Sequence, residues 1–410
     1  MFKPIQQVAV VCTMLCCTFS CQKEQPANIE LLPDEIYQYL DFNQTELEPE
    51  NLNGFAKLSD QLKDNKVILT GESHAVAANY ILEEAMLHFL VDKNWLDYYM
   101  PEWSFSACWH LNRYLETGNS SILSRLFSYL EGTSFWTRDA YDHWTRLYEW
   151  NQQLDEEHKI KLVGIEIEQQ PDVALWMLKE LIPTNQIPNE LLVPYYKLED
   201  MERATQPTYD ELAALALEIQ NLLSSNTSLY ADFFGGNWSD LQFLLGNIIN
   251  TAAVKKEYNY IERREELLYQ NFLVQYTQHE EGNWFGQWGS SHIYQSRFSA
   301  IDWLATRMKR QEDSPVFDRV LSINYIYYNC FILKKEPYRV EAFSNTNYTS
   351  DFNQLGLGNY TLYKLTGSNS PFENQMIWLT PLLTAPAGQT TDYFQYLISI
   401  KGSPAAIALF

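Results

Sequence analysis

Short apolar runs alternate with longer amphipathic segments over the first half of the chain. Residues 65–70 form a compact apolar run, which is typical of a buried strand, and residues 75–93 then carry apolar side chains at helical spacing. The alternation continues with strands predicted at 97–100 and 159–165 and helices at 105–116, 121–130, 138–154 and 172–181. Because strands that alternate with helices form parallel sheets with helices on their faces, the pattern predicts an α/β fold with a mainly parallel central sheet flanked by helices.

The second half of the chain departs from this alternation twice. Residues from about 185 to 280 carry almost no strand signal, and their predicted helices at 210–223, 240–256 and 260–278 indicate a helical insertion. The strand pattern returns at 283–288, and a helix at 297–310 and a long aromatic strand at 318–333 follow. After residue 336, turn residues separate short strands such as 375–379 and 396–400. These boundaries predict one α/β domain over residues 34–335 and a strand-rich C-terminal extension, 336–410, packed on the same domain.

The first 21 residues have the form of a targeting segment. A basic residue, Lys3, precedes an apolar run at 8–15 that is too short to span a membrane. The segment ends in Thr18-Phe19-Ser20-Cys21, which resembles a bacterial lipoprotein signal with a small residue before the cysteine that receives the lipid. The alternatives are an ordinary secretory signal and a poorly cleaved anchor.

Lipidation of Cys21 would make it the first residue of the mature chain. The polar residues 22–33 would then form a tether between the lipid and the domain. Residue 22 is Gln rather than Asp, so nothing here resembles the usual inner-membrane retention signal. The sequence therefore predicts a cell-envelope lipoprotein, anchored in the outer membrane through its lipid and facing the periplasm or the exterior.

The net charge limits the kinds of molecule that the protein is expected to bind. The formal net charge is −23, from 52 acidic and 29 basic residues, so a phosphate-coated nucleic acid would be repelled. A neutral or cationic small molecule or peptide remains compatible with this charge.

Beyond Cys21, only Cys108 and Cys330 remain, both in apolar surroundings, which predicts buried thiols or one disulfide between them.

Two motifs of the form Gly-x-x-His follow predicted strands. They are Gly71-Glu72-Ser73-His74 and Gly289-Ser290-Ser291-His292. In an open α/β sheet, ligand sites form beyond the carboxyl ends of the strands. Two histidines at two such ends are therefore predicted to face one crevice.

Several carboxylates accompany these histidines. Glu72 stands two residues before His74 and can orient its imidazole or raise its basicity, although it can equally cap the following helix. Glu102 follows the strand at 97–100 and is predicted to face the same crevice, or to be a solvated loop acid. Glu166 and Glu168 alternate at the end of the third strand, so they share one face and lie either in the crevice or at its rim.

Two adjacent arginines open the helix predicted at 260–278. Arg263 and Arg264 can hold an anion, or they can pair with the glutamates of the same helix. The chain lacks the motifs of common enzyme classes: the Gly-x-Ser-x-Gly elbow, His-Glu-x-x-His, the phosphate loop and Gly-x-Gly-x-x-Gly. A standard serine hydrolase, zincin, kinase or nicotinamide enzyme is therefore disfavoured.

The order of these segments resembles the erythromycin esterase-like proteins and their relatives, the TraB, ChaN and Tiki groups. The resemblance covers roughly residues 50–330 and is carried by segments 67–74, 100–102, 111–118, 150–151, 161–166, 263–264 and 288–292. It implies that His74, Glu102 and His292 are central site residues, that Glu72 supports them, and that Arg263 or Arg264 completes the site. Glu166, Glu168 and Ser291 are secondary candidates.

The resemblance implies more than one activity. Esterase-like members open a macrolide lactone by activating water, Tiki-like members are metal-dependent proteases with paired Gly-x-x-His motifs, and ChaN-like members bind haem. Here a single residue separates Glu72 from His74, and the later motif has one histidine, which departs from the esterase pattern and makes macrolide hydrolysis doubtful.

Two hypotheses follow from the residues and the resemblance. In the first, the protein is a hydrolase of ester or peptide bonds in which His74, Glu102 and His292 activate water, either directly or as ligands of a divalent metal. In the second, the same histidines bind haem or a metal without turnover. A scaffold that has lost its activity is a third possibility.

Overall fold

The structure is a computed structural model that describes residues 31–204, 207–279, 281–335, 338–381 and 386–409. The predicted targeting segment with Cys21, and residues 22–30 of the predicted tether, lie outside the described residues. Among the described residues, no helix is long and apolar enough to cross a membrane.

A seven-stranded sheet forms the centre of the described chain. The strands are β1 (Gln44–Glu46), β2 (Val67–Glu72), β3 (Tyr98–Tyr99), β4 (Trp284–Gly289), β5 (Val320–Tyr328), β6 (Cys330–Lys334), β7 (Arg339–Phe343), β8 (Tyr360–Lys364) and β9 (Tyr396–Lys401). All strands of the described residues except β6 and β7 belong to this sheet. Their order in the sheet is β1-β8-β9-β5-β2-β4-β3, and β6 and β7 form a separate antiparallel pair. The five strands from β9 to β3 are parallel, and β8 is antiparallel to both of its neighbours, β9 and β1, so the predicted mainly parallel sheet is confirmed.

Helices surround this sheet, as the alternating pattern predicted. Within the described ranges they are α1 (Asp34–Phe42), α2 (Ser59–Leu62), α3 (Ala78–Asp92), α4 (Phe105–Thr117), α5 (Ser120–Ser128), α6 (Arg138–Asn151), α7 (Pro171–Leu181), α8 (Asn189–Arg203), α9 (Tyr209–Ser225), α10 (Thr227–Phe234), α11 (Trp238–Val254), α12 (Tyr260–Gln278), α13 (Leu304–Arg310) and α14 (Thr349–Leu355). The insertion contains α8 to α12, of which α8 and α10 were not predicted from the sequence.

Strand β2 is buried along its whole length because both faces of the sheet are covered. Its Ile68 packs into an apolar cluster with residues of α3, α4 and α6. Its Val67 and Leu69 pack into a second cluster with residues of α12 and α13. Burial on both faces explains why the strand is a continuous apolar run rather than an alternating one.

The predicted strand at 159–165 is only partly formed. The segment runs parallel to β3 but pairs through two isolated bridges, at Leu162 and Glu166. The Asn112 side chain of α4 donates to the Leu162 carbonyl and accepts from its amide, over 2.8 and 2.9 Å. The Asn112 side chain therefore occupies the Leu162 amide and carbonyl, which a further strand on this side would otherwise use.

Two other predicted elements are shorter than expected. The predicted helix at 297–310 begins only at Leu304, because Ser299 and Ala300 adopt left-handed backbone conformations. The long strand predicted at 318–333 is divided into β5 and β6 at Asn329, which also has a positive φ. Residues 375–379, predicted as a strand, are irregular.

The C-terminal residues are part of the central sheet. Strand β9 pairs with β5 near the middle of the sheet, and β8 joins β9 to the edge strand β1. The segment after β9 crosses the site end of the sheet, where the Ala406 amide donates to the Ala75 carbonyl over 3.1 Å. Cys108 and Cys330 are both buried and free, so the prediction of buried thiols is confirmed over the disulfide.

Candidate active site

Parallel pairing brings the two Gly-x-x-His motifs to the same end of the sheet. Gly71 of β2 lies opposite Trp288 of β4, and Glu72 lies opposite Gly289, so both strands end at one level. The turn after β4 packs directly on β2, since a β-carbon at Gly71 would lie 2.5 Å from the Ile293 side chain. Only glycine leaves room for this approach.

Three side chains from three chain segments converge around Gly289. A β-carbon at this position would lie 3.5 Å from each of His74 Cε1, Glu102 Oε2 and His292 Cδ2. The Gly289 amide donates to Glu102 Oε2 over 2.7 Å. The structure therefore brings together the two histidines and the strand-end acid in one crevice.

Glu72 holds His74 in place. One carboxylate oxygen of Glu72 contacts His74 Nδ1, and the other accepts a hydrogen bond from the Asn79 side chain of α3. Asn79 is itself fixed, because its amide also donates to the Ser73 carbonyl and its oxygen accepts from the Tyr327 hydroxyl. Glu72 thus orients the imidazole rather than capping a helix, which begins only at residue 78. The His74 side chain remains 35% exposed, so its free Nε2 edge is accessible.

Arg264 of α12 joins the carboxylates on the other side of the crevice. Its Nη2 lies 3.0 Å from Glu102 Oε1, and its Nε lies 3.0 Å from Glu166 Oε1. Its Nη1 is 3.3 Å from His292 Nε2. Arg264 is therefore the site arginine, whereas Arg263 is half-exposed and pairs with Glu266 on the same helix.

His292 is oriented by a carboxylate that the sequence analysis did not select. Glu265 is fully buried, and its Oε1 lies 2.9 Å from His292 Nδ1. Its Oε2 also accepts the amide that begins α13, over 2.9 Å. A sequence signal existed, because Glu265 lies three and seven positions before Leu268 and Phe272 on the apolar face of the predicted helix. A carboxylate on that face requires a buried partner.

Of the three secondary candidates, Glu168 and Ser291 are less involved in the site than Glu166. Glu166 belongs to the site through Arg264, but Glu168 lies in a separate buried cluster, where it accepts from Ser106 and from Asn247. Ser291 lies in the turn after β4, where its carbonyl accepts the Tyr294 amide.

The charges of the crevice shift the pKa values of its side chains in opposite directions. Burial lowers the pKa of His74, but the adjoining Glu72 carboxylate outweighs it and raises this pKa to about 9. Burial raises the pKa of Glu102, but the imidazoles of His292 and His74 and the Arg264 guanidinium lower it to about 2. At neutral pH the Glu102 carboxyl group is therefore ionised and the His74 imidazole is protonated. Once it loses this proton, the His74 imidazole is a strong base.

A narrow cavity opens beside His74. The space available to the centres of water-sized molecules is about 30 Å³, enough for one or two ordered waters. The cavity is lined by Glu72, His74, Ala75, Asn79, Tyr80, Glu83, Tyr99, Pro101, Glu102, Trp103, Ser134, Phe135, His143, Trp144 and Gln287. His143 was not among the residues selected from the sequence, and nothing in the sequence near it indicated that α6 would turn it into this cavity.

The arrangement does not fit a metal ion. Glu102 accepts from the Gly289 amide and from Arg264, and His74 Nδ1 is engaged by Glu72. Over the part of the chain that the structure describes, no three His, Cys, Asp or Glu side chains are grouped so that they could hold a metal. The hypothesis that His74, Glu102 and His292 are metal ligands is therefore not supported, because the guanidinium of Arg264 stands where a cation would bind the carboxylate and the second imidazole.

Haem does not fit the cavity either. A cavity of about 30 Å³, measured as the space for the centres of water molecules, holds one or two waters and is far too small for a macrocycle. The donor groups therefore suit a water molecule and a bond to be cleaved better than a prosthetic group.

The fold that carries this site is that of the erythromycin esterase-like proteins. A histidine-to-asparagine variant of the erythromycin esterase EreC, in its open conformation, is similar with a TM-score of 0.64 and 12% identity, over 90% of this chain and 99% of that chain. A succinoglycan biosynthesis protein is similar with a TM-score of 0.69 and 11% identity, over 91% and 98%. A protein from Bacillus cereus is similar with a TM-score of 0.68 and 16% identity, over 91% and 98%.

The chain matches no protein-family model and no curated protein sequence. At these identities the solved structures establish the shared fold, which the order of motifs in the sequence predicted.

Proposed function

We propose that the protein is a hydrolase of ester or peptide bonds in which His74 activates a water molecule. The observation that supports this most directly is the partly exposed His74 imidazole. It is held by Glu72 at a cavity of about one or two waters and lies beside the cluster formed by Glu102 and Arg264. A carboxylate-oriented histidine with one accessible nitrogen is the usual form of a general base.

In this proposal each site residue has a separate task. His74 Nε2 removes a proton from water while the water oxygen attacks the carbonyl carbon, and Glu72 stabilises the imidazolium that forms. The positive charge of Arg264 favours the negative charge that develops on the carbonyl oxygen. Glu102 and Glu265 hold Arg264 and His292 in their positions, which preserves the arrangement during the reaction.

For an ester whose alcohol leaves without a proton, such as a nitrophenyl ester, the rate of hydrolysis is expected to rise with pH and to level above about pH 9. With a pKa of about 9, only about 1% of His74 is unprotonated at pH 7, so kcat/KM is expected to increase about tenfold between pH 7 and 8. Replacement of Glu72 with Gln removes the charge that raises this pKa. The pH at which the rate is half-maximal is therefore expected to fall from about 9 towards 6.5, and the maximal rate is also expected to fall.

The measurement is kcat/KM against pH on a panel of simple esters and peptide amides. Glu266→Gln is the matched control, since Glu266 pairs with Arg263 on the helix surface. If the half-maximal pH of Glu72→Gln equals that of wild type, His74 is not the titrating base. Failure of the wild-type protein to hydrolyse any member of the panel would remove the proposed function.

We also propose that the protein is a cell-envelope lipoprotein anchored through Cys21, as the form of its first 21 residues suggests. Cys21→Ala is expected to abolish incorporation of labelled fatty acid and to move the protein out of the membrane fraction. Cys12→Ala, in the apolar part of the same segment, is the matched control and should remain labelled. Label retained by Cys21→Ala would refute lipidation at this residue.

A further inference from the structure

The catalytic cavity has a second group of polar side chains on its wall. Glu83 of α3, Tyr99 of β3 and His143 of α6 all line it. Glu83 is 6% exposed and His143 is 1% exposed. The mechanism proposed above gives these residues no task, although they share the cavity with His74 and Glu102.

His143 is oriented towards Glu83. Its Nδ1 lies 2.9 Å from Glu84 Oε1, and Glu84 is in turn bound by the Arg146 guanidinium over 2.6–3.1 Å. Because Glu84 is held as a carboxylate, the Nδ1 of His143 carries the proton and donates it. The opposite nitrogen, Nε2, faces Glu83 Oε2 at 3.7 Å and has no hydrogen-bond partner among the described residues.

Glu83 is a buried carboxyl group in surroundings that favour its neutral form. The Tyr99 hydroxyl contacts it, and Glu84 and Glu72 add negative charge nearby. Burial is the largest influence and raises the pKa of Glu83 to about 7, against a smaller opposing effect of His143. Two carboxyl groups of one cavity, Glu102 and Glu83, therefore differ in whether they hold a proton, which is the usual division between a charge-stabilising group and an acid.

The proposed hydrolysis needs such an acid. When the bond between the acyl carbon and the leaving oxygen breaks, its electron pair goes to the leaving oxygen, which must take up a proton to depart as an alcohol. His74 is then holding the proton of the attacking water. A second proton source in the same cavity removes the need for His74 to deliver it.

We infer that Glu83 is the general acid of this reaction and that His143, oriented by Glu84, positions its carboxyl group. This inference rests on the proposed function. Glu83 gives its proton to the leaving oxygen and becomes a carboxylate, while His74 keeps the proton taken from water. Loss of one proton from His74 to solvent and uptake of one by Glu83 from solvent restore both groups.

The test compares two esters of one acid that differ in their alcohol. An alkyl alcohol needs a proton to leave, whereas nitrophenolate leaves without one. Glu83→Gln keeps the shape of the side chain but has no proton to give, so kcat on the alkyl ester is expected to fall about 100-fold or more. The rate on the nitrophenyl ester should stay within about threefold of wild type, since an acid that is not needed contributes little.

Glu168→Gln is the matched control. Glu168 is also a fully buried glutamate whose pKa burial raises to about 7, but it lies outside the cavity and should leave both rates unchanged. If Glu83→Gln fails to fold, as judged by circular dichroism, Glu83→Asp gives the same reading, because it keeps a carboxyl group but withdraws it from the leaving oxygen by one methylene.

The outcomes separate the two proposals. Equal losses on both esters, or no loss on either, overturn the assignment of Glu83 while the hydrolase remains. A wild-type protein that cleaves neither ester overturns the hydrolase and the assignment together. A loss confined to the alkyl ester supports both.

Discussion

Replacing Arg264 with Met is expected to lower the free energy of unfolding by about 3–5 kcal/mol and to abolish hydrolysis. Arg264 is 16% exposed and is bound to Glu102 and Glu166, which are 9% and 2% exposed. Removal of the guanidinium leaves the buried Glu166 carboxylate without a cation and leaves Glu102 with only the imidazoles of His292 and His74. The measurement is denaturant-induced unfolding of both proteins at neutral pH, accompanied by the ester assay.

The adjacent arginine provides the control. Arg263 is half-exposed and pairs with Glu266, so Arg263→Met is expected to change stability by less than about 1 kcal/mol. The double variant Arg264→Met, Glu166→Gln should recover part of the lost stability, because it removes the carboxylate that has lost its cation. Similar effects of the Arg263 and Arg264 substitutions would contradict the structure.

The destabilisation by Arg264→Met is also expected to depend on pH. The pKa of Glu102 is lowered in the folded protein, from an ordinary 4.5 to about 2. A carboxyl group of this kind stabilises the fold fully above its ordinary pKa, and the contribution is lost as the pH falls through about 2. The difference in stability between wild type and Arg264→Met should therefore shrink across this window.

Replacing His74 with Ala is expected to reduce kcat/KM for ester hydrolysis by about 10²–10⁴, which is the usual contribution of a positioned base. The variant is also expected to be less stable than wild type at neutral pH, because the Glu72 carboxylate, 7% exposed, loses the imidazolium that it contacts and keeps only its hydrogen bond from Asn79. The measurement is kcat/KM at pH 10, where the wild-type imidazole is largely unprotonated, together with thermal unfolding.

His158→Ala is the control for this substitution. His158 is similarly exposed, at 30%, but lies outside the cavity, so its loss should leave the rate unchanged. A His74→Ala variant that retains wild-type activity would show that another group activates the water. Loss of activity in both variants would point to an effect on the fold rather than on the site.

Much of the sheet could be predicted from local patterns. Strand β2 is an unbroken apolar run because it is covered on both faces, and α12 occupies the predicted range, 260–278. Two of the predictions that were wrong can be traced to particular residues. Residues 159–165 and 297–303 have the composition of regular elements, but the Asn112 side chain and the left-handed residues Ser299 and Ala300 determine their backbone.

The site was predictable to the extent that it lies at strand ends. His74, Glu102 and His292 each follow a strand within a few residues, so the sheet places them together. The further groups that orient them, namely Glu265, Asn79 and Tyr327, lie within helices or a strand rather than beyond a strand end. Apart from the acidic residue on the apolar face of α12, no local pattern marks them.

The sequence by itself determined the α/β architecture and the two glycine–histidine strand ends, because these depend on side-chain periodicity and on backbone freedom at single residues. Tertiary structure decided which of two neighbouring arginines enters the site, which carboxylate orients His292, and that His143 faces the cavity. Arg264 and Glu102 are 162 positions apart, and His143 and Glu84 are 59 apart. Such pairs are chosen by how helices pack on the sheet, and a one-residue turn of a helix, about 100°, exchanges a buried side chain for an exposed one.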